Sequence, residues 1–225
     1  PVQALDPGAH RLLEEGPGYR RRYLDWGVFH VEPSFLPLWR RYQRALRQRN
    51  RALKLQAPEH ELAAWDPELV AAGEALQGLR ENYLVGLRSA LVPVLRQLLD
   101  TGDWTLDLQR GWSAERGLAD ALLEHRARDR RMGQTMEGPH RAELRLRLGG
   151  HSVKNRVSRG QQKLLVAALA LAQVRQVLDQ TGRAPVILVD DFPAELGAEF
   201  QGRLLAALRG SGSQVFLSAI ESPGF

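Results

Sequence analysis

The feature that most constrains this chain is a short apolar run that ends in two acids, Val186-Ile187-Leu188-Val189-Asp190-Asp191. Consecutive aliphatic residues of this length read as a strand covered on both faces, the pattern of a parallel sheet flanked by helices. A helical pattern precedes it, from Ser158 to about Gln180, with an unbroken apolar stretch from Leu164 to Ala172. A second helical pattern near Ala198–Leu208 and a strand at Gln214–Ser218 follow, separated by glycine-containing turns. This alternation calls for βαβ units. Ligands of open parallel sheets sit at the carboxyl ends of the strands, which is where Asp190 and Asp191 fall. Adjacent carboxylates suit a hard cation such as Mg²⁺. The plainer alternative is a strand whose last Asp caps the following turn.

The preceding segments have a different texture. Residues 1–33 read as loop-rich, with Pro7, Gly8, Gly16, Pro17, Gly18 and Pro33, and carry the basic cluster Arg20-Arg21-Arg22. A helix is predicted from about Ser34 to Lys54, with Phe35, Leu38, Tyr42, Leu46 and Leu53 on one face and Arg40, Arg41, Arg44, Arg47 and Arg51 on the other. Pro58 breaks the pattern. Asp66 then reads as an N-cap, with Pro67 at the first helical position. A long leucine stripe runs from there to about Asp100, with a kink expected at Pro93. Two helices of this length, the longer about 45 Å, suggest an antiparallel arm; an ordinary bundle layer is the alternative. Trp104–Leu108 and Glu143–Leu148 alternate like half-buried strands, and Ser113 can cap a helix reaching about Arg130. Four segments are expected: 1–33 as part of a head leading into the arm, 34–100 as the helical arm, 101–150 as a mixed return segment, and 151–225 as a C-terminal subdomain.

The net charge is +5, and Lys54, Lys154 and Lys163 are the only lysines among 31 basic side chains. Arginine suits bidentate phosphate contacts, although arginine enrichment also follows genomic base composition. With no Cys in the chain there is no disulfide framework or thiolate metal site. Its histidines show no metal-ligand spacing. The longest strongly apolar run is far short of the roughly 20 residues of a membrane span. Arg126, Arg128, Arg130 and Arg131 form a further basic cluster. The first residue is Pro1 rather than Met, and no Gly-Lys dipeptide occurs anywhere, so a phosphate-binding loop is not encoded. A trimmed or partial chain is expected.

Ser158-Arg159-Gly160-Gln161-Gln162 opens the helix that leads to the Asp190-Asp191 strand. Ser158 is a good N-cap. Its hydroxyl, the Gly160 amide and the positive end of the helix dipole can together meet an anion. A merely capped helix would need Ser158 but not the glycine or glutamines. In this order, separated by one helix, the two motifs resemble the signature helix and Walker B strand of cassette-type ATPases. The stretch Ser158-Arg159-Gly160-Gln161-Gln162-Lys163-Leu164-Leu165 with Asp190-Asp191-Phe192 resembles, more narrowly, the RecF family of DNA-repair ATPases. Gly138-Pro139-His140-Arg141, Gly16-Pro17-Gly18-Tyr19-Arg20-Arg21-Arg22-Tyr23-Leu24-Asp25-Trp26-Gly27 and Arg47-Gln48-Arg49-Asn50-Arg51-Ala52-Leu53 are similar to other elements of that family, in the same order.

The resemblance implies a mixed α/β cassette/SMC-type ATPase head with an inserted helical arm, ATP and Mg²⁺ as ligands, and a homodimer holding each nucleotide between two subunits. It also implies a cytoplasmic protein that binds duplex DNA at single-strand gaps, works with RecO and RecR, and promotes RecA loading. By position, Asp190 would hold Mg²⁺ through water and Asp191 would be the catalytic base. Ser158, Gly160 and Gln161 would contact the partner subunit's nucleotide, and Gln3 would take the Q-loop place. Arg20, Arg21, Arg22, Arg40, Arg44 and Arg47 are candidates for DNA contact. Asp191 stands where cassette ATPases usually carry Glu, Gly197 where a D-loop Asp is expected, Ala219 at the switch-histidine position, and Ala142-Glu143 where two acids are common. The alternatives are another cassette- or SMC-like ATPase, or a non-enzymatic fragment that contacts DNA or protein. Without a phosphate loop the chain alone is expected not to hydrolyse ATP.

Overall fold

The structure is a computed structural model and describes residues 1–99, 102–154, 156–190 and 196–218. The chain forms two compact units. The first contains residues 1–31, 83–107 and 145–225, and the second residues 32–82 and 108–144. This division cuts across the four consecutive segments expected from the sequence. The reason lies in one helix, α5 (Asp66–Leu99), whose first half belongs to the second unit and whose second half belongs to the first.

The first unit is built around β1 (Val2–Leu5), β5 (Val186–Asp190) and β6 (Val215–Ser218), in the order β1-β5-β6 and all parallel. Helix α8 (Arg159–Thr181) is its core: from Lys163 to Val174 every residue is buried. α1 (Arg11–Glu14), α2 (Pro17–Val31) and α9 (Ala198–Arg209) pack on α8. The segment read as loop-rich is thus largely helical. Pro17, a loop signal in isolation, is the first helical residue of α2, where its missing N–H costs nothing. Tyr23, Leu24, Gly27 and Val28 then form the buried stripe of α2.

Helices α2, α5 and α8 are tied by side chains reaching backbone carbonyls. Tyr23 donates to the Leu169 carbonyl at 2.9 Å, Gln173 to the Tyr23 carbonyl at 2.7 Å, and Gln176 to the Tyr83 carbonyl at 2.8 Å. Gly27 makes the close approach possible, since a methyl there would stand 2.1 Å from the Tyr83 hydroxyl. Burial pushes the Tyr23 and Tyr83 hydroxyls well above the usual phenol range.

The second unit holds α3 (Phe35–Lys54), α4 (Glu59–Ala63), the first half of α5, α6 (Leu118–Glu124) and α7 (Arg126–Met132). The helix expected from Ser113 to Arg130 is two short ones. Ser113 makes only a local turn, its hydroxyl accepting from the Glu115 N–H, while the first N–H of α6 is satisfied from α5 by Glu74 at 3.0 Å. Asp66 does not cap α5 either, because its carboxylate accepts from the guanidinium groups of Arg49 and Arg126. α5 continues unbroken through Pro93.

A second sheet has the order β2-β3-β4, from β2 (Trp104–Gln109), β3 (Glu143–Leu148) and β4 (His151–Ser152). β3 and β4 are antiparallel, with Leu148 opposite His151. The alternation read at 104–108 and 143–148 is present, Leu106, Leu144 and Leu146 being buried.

Candidate nucleotide and nucleic-acid site

Asp190 is the last residue of β5 and is exposed at the carboxyl edge of the parallel sheet. Its register partner is Ser218 on β6, whose hydroxyl donates to Asp190 Oδ1 at 2.6 Å. Asp191 and Ala219 lie outside the described residues. β5 differs from the doubly covered strand expected from its composition. Ile187 and Val189 are buried, but Leu188 is 40% exposed, and on the same face Val2 is 52% and Phe216 54% exposed. One side of the sheet is packed by helices; the other is bare and apolar.

Ser158 caps α8 in a reciprocal capping box. Its hydroxyl accepts from the Gln161 N–H at 3.2 Å, and the Gln161 side chain accepts from the Ser158 N–H at 2.9 Å. The helix end therefore accounts for Gln161 as well as Ser158, contrary to the expectation that capping alone needs no glutamine. Gly160 is different. A methyl added there would meet only Leu196 Cδ2, at an ordinary 3.9 Å, and its φ is not in the left-handed region. Neither packing nor backbone conformation demands glycine at 160. What glycine preserves is open space over the first turn of a long helix, the end at which backbone N–H groups and the helix dipole favour an anion. A groove of about 200 Å³ lies beside this turn, lined by Pro7, His10, Glu14, Arg159, Gln162 and Lys163.

Gln3 lies within β1 opposite Ile187, and Leu5 is opposite Val189. Gln3 thus sits three residues short of the level of Asp190 and lines a separate groove with Tyr19, Arg22, Trp26 and Gln173. Gly197 is the N-cap of α9 and makes no side-chain cap bond. Among the described residues, no hydrogen bond joins the first turn of α8 to Asp190.

The arginines separate into two kinds. Arg20 donates to the Leu12 and Glu15 carbonyls at 3.1 and 2.8 Å, closing the C-terminal end of α1. Arg22 stacks over the Tyr19 ring at 4.3 Å, and Arg21 also has an interaction partner. Arg126 and Arg130 are drawn onto Glu59, with Arg126 also on Asp66, so these two members of the basic cluster serve ion pairs within the second unit. Arg40, Arg44, Arg47 and Arg51 are all exposed and recur at helical spacing along one face of α3. Arg41 beside them is paired with Glu68 and holds that carboxyl below the usual range, with a smaller contribution from Arg44.

The sequence reading missed Arg49, which is wholly buried. Its Nε donates to Asp66 at 2.8 Å, and its Nη1 donates to Asp129 at 2.7 Å and to Thr135 at 2.8 Å. Asn50 accepts from the Thr135 N–H and hydroxyl. Tyr42 is hydrogen-bonded to His140 Nδ1 at 2.6 Å, and Arg80 donates to the Pro139 carbonyl at 2.8 Å. The Gln-Arg-Asn and Gly-Pro-His-Arg elements are therefore two sides of one polar core. The missed signal was an Arg two residues from Arg47 and from Arg51 of the exposed stripe, at the spacing of Tyr42 and Leu46.

No family model matches the chain. It is 46% identical over 222 residues to the DNA replication and repair protein RecF of Thioalkalivibrio sulfidiphilus, covering 99% of this chain and 62% of that protein. It is 45% identical over 224 residues to RecF of Stenotrophomonas maltophilia, with 99% and 62% covered. RecF of Pseudomonas paraeruginosa is 44% identical over 224 residues, with 98% and 60% covered. Over almost its whole length the chain is homologous to RecF proteins. It spans about 60% of the length of these RecF relatives.

Among solved structures, the recombination mediator protein RecF with ATP, of the RecFOR pathway, superposes with a TM-score of 0.86 at 22% identity, covering 99% of this chain and 62% of that one. The Smc head domain of Pyrococcus furiosus gives a TM-score of 0.50 at 14% identity over 96% of this chain and 55% of that chain. The fold is accordingly the mixed α/β fold shared by RecF and the Smc head domain.

Proposed function

We propose that this chain is the signature- and Walker B-bearing part of a RecF-type ATPase acting in DNA recombination and repair. The single observation that carries the nucleotide reading is Gly160: a glycine that the fold does not require, holding open the N-terminus of the 23-residue helix α8. In this reading Ser158, Gly160 and Gln161 contact ATP bound by a second copy in a nucleotide-dependent homodimer. Gln161 reaches that nucleotide by leaving its capping bond. Asp190 fits a Mg²⁺ site of the usual sparse kind, in which one or two carboxylates supplement phosphate oxygens; its exposed carboxylate stands at the ligand edge of the sheet. Mg²⁺ there would neutralise phosphate charge. Asp191 orients and deprotonates the attacking water, and Gln3 remains the Q-loop candidate.

The bare face of Val2, Leu188 and Phe216 suits a further segment carrying the phosphate loop that this sequence lacks. Alone, the chain is expected not to hydrolyse ATP. The whole protein is proposed to be cytoplasmic, to bind duplex DNA at single-strand gaps and to promote RecA loading with RecO and RecR. The exposed arginine face of α3, with Arg40, Arg44 and Arg47, is the better-supported DNA contact. Arg20, Arg21 and Arg22 are the weaker one, because Arg20 already serves two carbonyls.

The test uses the protein at the full length of its relatives. Asp191→Asn is expected to keep ATP-driven dimerisation and to abolish turnover; undiminished hydrolysis sinks the base assignment. Replacing Arg40, Arg44 and Arg47 by Gln is expected to weaken duplex binding. The salt dependence should flatten too, by roughly one unit of log–log slope for each phosphate-neutralising arginine removed. An unchanged slope removes α3 from the interface.

A further inference from the structure

We propose that Ser218 is a positioning residue for Asp190, fixing which carboxylate oxygen is presented at the ligand edge of the sheet. The inference rests on the reading of Asp190 as the residue facing the nucleotide's Mg²⁺, and extends it to a residue on a different strand.

The two residues are register partners at the carboxyl ends of neighbouring parallel strands. In such a pair the side chains project from the same face, and both are exposed. The Ser218 hydroxyl donates to Asp190 Oδ1 at 2.6 Å, within the short range typical of a hydroxyl on a carboxylate. Among the described residues no other donor reaches Asp190, and Oδ2 is the oxygen that the proposal assigns to a metal-bound water. A carboxylate at an exposed strand end otherwise turns freely about its terminal torsion, which is broad and roughly two-fold. The serine bond holds one orientation. Groups that orient a metal-binding carboxylate in this way commonly affect metal affinity by about 10–100-fold.

A purely structural role, pinning β6 to β5, predicts something else. Ile187, Val189 and the backbone ladder already join those strands, so loss of the hydroxyl should cost little stability. Mg²⁺ response and thermal stability therefore separate the two roles.

The experiment measures ATP-driven dimerisation of the full-length protein by light scattering as Mg²⁺ is titrated, with melting temperature recorded in parallel. Ser218→Ala is expected to raise the Mg²⁺ midpoint about tenfold or more, while the melting temperature stays within about 2 °C, a shift worth less than roughly 1 kcal/mol. Ser218→Thr keeps the hydroxyl in a strand-compatible residue and is expected to restore the parent midpoint. A parent-like midpoint for Ser218→Ala overturns the proposal, as does a fall in melting temperature with the midpoint unmoved. Asp190→Asn is the control: an unaltered Mg²⁺ response in that variant overturns the assignment of Asp190 itself, and Ser218 with it.

Discussion

Replacing Arg49 by Met should destabilise the protein by about 3–5 kcal/mol, the usual cost of stripping one partner from a buried ion pair. The size follows from what the guanidinium leaves behind. Arg49 and Asp129 are both fully buried, whereas Asp66 is 16% exposed and keeps Arg126. Most of the cost is therefore the stranded Asp129 carboxylate, which among the described residues retains only the Met136 N–H, at 2.9 Å. Methionine fills much of the arginine stem volume, so cavity formation adds little. At roughly 2–4 °C per kcal/mol for a chain of this size, the melting temperature should fall by about 6–20 °C. Arg49→Lys keeps the charge but cannot fork between two carboxylates, and should lose less.

The mechanism is isolated by a double-mutant cycle with Asp129→Asn, which removes the buried charge and keeps an acceptor for the Met136 N–H. Urea unfolding of the four proteins should show the double mutant more stable than the sum of the single changes by at least about 1 kcal/mol. Additive effects, or an Arg49→Met variant within about 1 kcal/mol of the parent, would refute the claim that this arginine organises the second unit.

Gly111→Ala should cost more than about 2 kcal/mol by urea unfolding, since φ is +89° and the added carbon would lie 2.4 Å from the Gly138 carbonyl oxygen, a backbone atom that cannot swing away. Ser158→Ala should lower stability by about 1 kcal/mol through loss of the cap, with increased amide exchange confined to the first turn of α8. Arg130 and Arg126 hold the Glu59 carboxyl below its usual range, and Arg41 does the same for Glu68. Because both folded-state values are depressed, the stability they add is complete above the unfolded carboxylate range near 4.3 and is lost as pH falls through the lower folded values. A melting-temperature profile from pH 6 to 3 should fall at its acid end less steeply in Glu68→Gln than in the parent. Phe216→Thr should reduce hydrophobic-dye binding by the isolated chain, because Phe216 is the most exposed large residue of the bare sheet face.

The two C-terminal parallel strands, the helices α3, α5 and α8, and the two motifs are legible in residue order alone, whereas β1 and α2 lie in a segment that read as loop-rich. They rest on local signals: an apolar run with terminal acids, helical spacing of leucines, and a serine three residues before a glutamine. The family resemblance is legible in the same way, because ordered motifs survive independently of how the chain packs. Packing settles what local pattern cannot encode. Whether Asp66 caps a helix or binds Arg49 depends on a residue 17 positions away, and the cap of α6 comes from Glu74 rather than the nearby Ser113. One buried arginine within a row of exposed ones is distinguished only by the carboxylates that meet it. Likewise the run Val186–Val189 reads the same whether one face or both are covered; only assembly with the helices of the first unit shows that Leu188 is bare. Ser218 meets the same limit at the site itself: a serine 28 residues from Asp190 acquires its place only when the two strands align.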